Sequence, residues 1–178
     1  MRIIRVHPCV SAAVIGGLAL VSVAALAGQA PPNDQRRETA HLVATVVTVA
    51  APVAPGARVS LRLDVVPKPK MHVYSAEQKD YLPISLTLDA EPSFKAHPVV
   101  FPKAERFYFK ALDETQLVFS KPFRITQDIT LAATPAARAR AAGGTLSVKA
   151  TLRYQACDDA VCYRPETVTV TWHLTLKP

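Results

Sequence analysis

The sequence predicts an all-β protein, an immunoglobulin-like β-sandwich, on three observations. Several stretches alternate apolar and polar residues with a period of two, as strands with one buried face do. Turns rich in proline and glycine separate them. Only Pro135 to Ala142 tolerates a helix, and it is short. One apolar face per strand is what two packed sheets require, and 178 residues is a one-domain length.

The elements follow in chain order. His41 to Ala50 is a less regular strand candidate, followed by turn chemistry from Ala51 to Gly56. Val59, Leu61, Leu63 and Val65 then alternate with Arg58, Ser60, Arg62 and Asp64. Pro67 and Pro69 bracket a lysine and mark a turn. Ile84, Leu86 and Leu88 form a short alternating run, and Phe94 to Phe101, Leu117 to Phe119 and Phe123 to Leu131 are weaker strand candidates. Gly143-Gly144 precedes a long strand with Leu146, Val148, Ala150, Leu152 and Tyr154 inward. The last strand turns Val168, Val170, Trp172, Leu174 and Leu176 inward, so Trp172 is expected in the core.

The N-terminus reads differently. Arg2, Arg5 and His7 precede an uncharged apolar run from Val10 to Leu26, which closes on Ala25-Leu26-Ala27. A positive start, an apolar middle and a small-x-small end make a secretory signal peptide. Residues 1–27 are therefore expected to be cleaved, 28–40 to be a disordered lead-in, and 41–178 to be the folded domain. The competing reading keeps the apolar run as a membrane anchor; after cleavage no span is expected. Removing two arginines and no acids takes the formal charge from +7 to +5. The basic residues are scattered without aromatic interleaving, which argues against nucleic-acid binding.

Cleavage also removes Cys9 and leaves Cys157 and Cys162. Two cysteines in an exported chain are expected to form a disulfide. Cys157 ends one strong strand and Cys162 precedes the next, so the four residues between them make a hairpin tip. Such a bridge closes a very small loop, and a disulfide restricts the unfolded chain less as its loop shrinks. An exposed tip is also open to a partner's thiolate. Both points favour exchange chemistry over a staple. Asp158 and Asp159 disfavour a thiolate at Cys157, whereas Arg164 favours one at Cys162, making Cys162 the sulfur that exchanges. The spacing is not the Cys-x-x-Cys of a thioredoxin site. Two cysteines with Asp158 or His72 fall short of four zinc ligands, so neither metal nor cofactor is expected.

Tyr154-Gln155-Ala156-Cys157-Asp158-Asp159, followed by Cys162 and Pro165-Glu166, resembles the active hairpin of the N-terminal periplasmic domain of the DsbD thiol:disulfide interchange family. Met71-His72-Val73-Tyr74 is similar to that family's strand with a tyrosine near the site. Val99 to Pro102, followed by Glu105-Arg106-Phe107-Tyr108, resembles its strand and cap loop. The resemblance implies an immunoglobulin-like fold and a periplasmic protein-disulfide reductase. Its cysteine pair would exchange with a thioredoxin-like protein, as electron donor or acceptor, and with oxidised periplasmic proteins. It implies Cys162 in the mixed disulfide, Phe107 as a shielding ring with Tyr108 beside it, and Tyr74, Glu105 and Tyr154 in support. The hairpin is one residue shorter between its cysteines than in the best-known members, and Phe109 stands where glycine is common. These residues hold neither the family's membrane-embedded electron carrier nor its thioredoxin domain, so either another polypeptide is expected to supply electrons or the domain serves a different task, and the direction of electron flow stays open. Two other classes compete: a binding or chaperone-like sandwich with a static disulfide, and a metal-handling domain.

Overall fold

Alternating side chains bury one face of each long strand, and the strands assemble accordingly. The computed structural model describes residues 35–177, positions 111 and 143 excepted. The expected signal segment and residues 28–34 lie outside the described residues. In chain order the elements are β1 (Arg36–Glu38), β2 (Leu42–Val47), β3 (Arg58–Pro67), β4 (His72–Tyr74), β5 (Ser85–Leu88), β6 (Phe94–Val100) and β7 (Glu105–Phe109). They continue with β8 (Glu114–Phe119), β9 (Phe123–Leu131), α1 (Pro135–Ala141), β10 (Thr145–Tyr154), β11 (Ala156–Cys157) and β12 (Glu166–Thr175).

Two antiparallel sheets form the immunoglobulin-like sandwich. One has the order β1-β2-β3-β9-β6 and the other β12-β10-β5. Their inner faces meet in one cluster that includes Leu42, Leu61, Leu63, Ile125, Ile129, Leu152, Val170 and Leu174. Trp172 is 1% exposed at its centre. Its indole N–H donates to the Arg62 carbonyl across the sandwich at 3.1 Å, which satisfies the one polar atom of a buried ring.

Part of the expected lead-in is ordered. Arg36–Glu38 pairs antiparallel with β2, Arg37 lying opposite Ala44. Its side chains are polar, so the pairing comes from the backbone ladder rather than from burial. Among the described residues no helix is long and apolar enough to cross a membrane.

A third sheet, β11-β4-β8-β7, carries the cysteines. β10 and β12 pair without a break from Thr145↔Thr175 to Tyr154↔Glu166. Beyond Tyr154 the chain leaves that ladder at Gln155 and enters β11, which pairs with β4. β4 is delivered by a turn in which the Met71 amide donates to the Lys68 carbonyl at 2.9 Å. Pro69 is its second residue and Lys70, at φ 67°, its third. That is the type II arrangement, with proline pre-set and the left-handed residue next.

Candidate active site

The third sheet sorts its side chains by the two-residue period of a strand. Ala156, Val73 and Phe119 line up across β11, β4 and β8, and all three join the main core. The opposite face aligns Cys157 with His72, Tyr74 with Val118, and Phe107 with Gln116. Tyr74, Val118 and Cys157 form a second, small buried cluster, with Tyr81 and Phe107 packed on it.

Cys157 and Cys162 are joined by a disulfide and face each other as an antiparallel bridge. The sequence places this bridge at an exposed tip; the exposure proves one-sided. Cys157 is 1% exposed, whereas Cys162 is exposed. The difference arises because β11 pairs with β4 and sinks Cys157 against the cluster, while Cys162 sits on the outer arm.

Asp158 organises the tip. Its Oδ1 accepts the amides of Ala160 and Val161, both at 2.8 Å, an Asx turn that suits a short loop. Its Oδ2 accepts the Tyr163 hydroxyl at 2.7 Å. These donors, Tyr163 foremost, hold the carboxyl down at about 2. The charge that sequence reasoning assigned to repelling a thiolate is thus used to fold the loop. Asp159 and Arg164 are exposed on either arm.

The Tyr74 hydroxyl lies 3.2 Å from Cys162 Sγ. Tyr74 is fully buried and stacks on Tyr81 at 4.7 Å between ring centres. Burial, then the nearby Tyr81 and Glu114, push its phenol up to about 12. Tyr81 donates to Glu114 at 2.5 Å, and Gln116 donates to the same oxygen at 2.6 Å. His72 is 2% exposed, and its ring centre lies 4.5 Å from that of Phe107. Burial lowers the His72 pKa, against the opposing pull of Asp159 and Asp158. Gln116 is near enough to favour the charged ring, yet His72 Nε2 and Gln116 Oε1 each lack a partner of good hydrogen-bond geometry.

The remaining predicted residues fall at different distances from the sulfurs. Phe107 is half-buried against the cluster, on a strand rather than the expected loop. Tyr108 points from the other side of β7, is 58% exposed and donates to Asp113; it does not cover the cysteines. Glu105 is engaged by Ser120 at 3.0 Å and Lys121 at 3.2 Å. Tyr154 lies in the main core and donates to Glu166. Thr39 stands 2.7 Å from the same hydroxyl.

Sequence reasoning missed Gln116, Tyr81, Glu114 and a second polar group behind the hairpin. There His41 Nδ1 stands 3.0 Å from Glu166 Oε1, an ion pair when the ring is protonated but without hydrogen-bond alignment. The His41 ring also packs on Tyr163 at 4.3 Å. The signals were faint: isolated polar residues inside strand-like runs, with no spacing that ties them together.

The solved structures similar to this chain include two N-terminal domains. The DsbD N-terminal domain of Neisseria meningitidis, in the reduced form, is 16% identical with a TM-score of 0.46, over 83% of this chain and 96% of that one. The N-terminal periplasmic domain of ScsB from Proteus mirabilis is 10% identical with a TM-score of 0.49, over 80% of this chain and 51% of that one. None of the curated proteins matches. The family model of the thiol:disulfide interchange protein DsbD N-terminal domain matches residues 39–173, which span both sandwich sheets and the cysteine hairpin, and the chain belongs to that family.

Proposed function

We propose that this protein is a periplasmic thiol–disulfide oxidoreductase that relays electrons through Cys157 and Cys162 between a thioredoxin-like protein and oxidised exported proteins. The observation that carries the reading is the unequal exposure of two bonded sulfurs in a tight loop. An incoming thiolate reaches Cys162 and not Cys157. It forms a bond to Cys162 Sγ, the Cys157–Cys162 bond breaks, and its electron pair leaves on Cys157. In the opposite direction the Cys162 thiolate attacks a partner's disulfide and Cys157 then displaces the partner. Tyr74 supports Cys162 in this role: its raised pKa keeps the phenol protonated, and a donor 3.2 Å away favours a thiolate. Phe107, packed over the Cys157 cluster, is the shielding ring of the pair.

Trapping tests the sulfur assignment. Cys157→Ser is expected to accumulate a mixed disulfide with a thioredoxin-like protein, visible on a non-reducing gel, and Cys162→Ser far less. Accumulation through Cys157 instead would overturn the assignment. If neither variant nor the wild-type pair exchanges, the relay itself fails.

A further inference from the structure

We propose that His72 is the proton acceptor of Cys157, taking the proton of that thiol when it attacks to re-form the disulfide. The inference rests on the exchange function above and assigns it a residue that neither the cysteine spacing nor the cap identifies.

The argument starts from what Cys157 lacks. A thiol must lose its proton before it attacks, because the thiolate is the nucleophile. Cys162 is exposed and can exchange its proton with water. Cys157 is 1% exposed, so its proton needs an acceptor inside the protein. The Tyr74 hydroxyl is engaged with Cys162 and, held near 12, is no base at neutral pH. Asp158 spends both oxygens on the loop and on Tyr163, and its depressed pKa makes it a poor base. His72 lies directly opposite Cys157 in the β11–β4 ladder, where paired side chains on one face stand about 4.5–5.5 Å apart at Cβ. It is buried, and its Nε2, with Gln116 nearby, makes no well-aligned hydrogen bond.

Every element packed on the ring bears on its charge. Its own strand contributes Tyr74, β7 the neutral Phe107, β8 Gln116, and the hairpin Asp158 and Asp159. Glu114 reaches the group through Gln116. Burial wins over the acidic hairpin and lowers the pKa, so the imidazole is neutral at pH 7 and free to accept.

The step balances. With Cys162 in a mixed disulfide, the Cys157 S–H proton moves to the His72 imidazole. The Cys157 thiolate forms a bond to Cys162 Sγ, and the Cys162–partner S–S bond breaks. The partner leaves as a thiolate carrying the electron pair, and the two protein thiols have become a disulfide. The imidazolium then returns its proton to solvent.

An aromatic disulfide that releases a coloured thiolate, 5,5′-dithiobis(2-nitrobenzoate), separates the two sulfurs in one stopped-flow trace. The reduced protein should release a first equivalent as Cys162 attacks and a second as Cys157 resolves. His72→Phe is expected to slow the second phase roughly ten- to a hundredfold at pH 7, the size of one hydrogen bond to a charged group, and to leave the first unchanged. His72→Gln, which accepts a hydrogen bond but not a proton, should be equally slow. In the wild type the second phase should fall as pH drops through a value below the ordinary 6.5 of histidine; both variants should lose that inflection. The wild-type profile reads the base even if a variant misfolds. An unchanged second phase in folded variants, or a wild-type profile without the inflection, removes His72 from the reaction while exchange stands. A folded wild-type protein that releases neither equivalent removes the exchange function, and this proposal with it.

Discussion

At the residue scale, Asp158 shows how a local charge is committed. The Tyr163 hydroxyl and the amides of Val161 and Ala160 all donate to the ionised carboxylate, which drops its pKa from 3.8 to about 2. A depressed acid stabilises the folded loop fully above its unfolded pKa and ceases to do so as pH falls through the folded one. The loop is therefore expected to keep its form at pH 3 and lose it toward pH 2. Amide chemical shifts of Ala160 and Val161 should titrate together near 2; a common midpoint near 3.8 would mean that the carboxylate is not holding the turn. Phe107 makes a second prediction at this scale. Truncation to alanine is expected to speed alkylation of the reduced cysteines by iodoacetamide, because the ring packs on the cluster that buries Cys157. Its half-buried position should keep the stability loss below the 3–5 kcal/mol typical of a core phenylalanine. Unchanged alkylation with a loss in that range would make Phe107 plain packing.

At the element scale, the disulfide adds little that the hairpin does not already supply. Its cysteines are five positions apart, and chain-entropy arithmetic for so short a ring gives about 2 kcal/mol. The β10–β12 ladder, paired from Thr145↔Thr175 to Tyr154↔Glu166, does not depend on it. A Cys157→Ser, Cys162→Ser protein is thus expected to fold, with an unchanged β-type circular dichroism spectrum and a loss of less than about 3 kcal/mol in urea. A double variant that cannot fold would show a structural staple. The elements also show where periodicity stops being informative. β4 has three residues, all buried, because one face meets the main core and the other the cysteine cluster; no alternation of polarity remains to be read. β7 has aromatic residues on both faces, with Phe107 and Phe109 on one and Tyr108 on the other, so no alternation marks it as a strand, and only the family resemblance spoke to it, as a cap loop. β1 is Arg-Arg-Glu and is held by backbone pairing and by polar side-chain contacts, Arg37 to the Thr169 carbonyl and Glu38 to Lys68, to which apolar patterning is blind.

At the scale of the whole molecule, the long strands β3, β9, β10 and β12 were legible because each buries one face against a single large core. The cysteine pair was legible because its tight spacing between two such strands has few other uses. Part of the surroundings was not: Gln116 and Glu114 meet His72 and Tyr74 only through the register of a small sheet built from four separate stretches, and Tyr81 joins them from the loop after β4. That sheet leaves a constraint on the gene. In β4, Val73 faces the core while His72 and Tyr74 face the sulfurs. One residue inserted into or deleted from the Lys68–Met71 turn would reverse those faces, driving a histidine and a tyrosine into the sandwich and a valine toward the disulfide. The composition of the turn is free of that demand, but its length is tied to the chemistry.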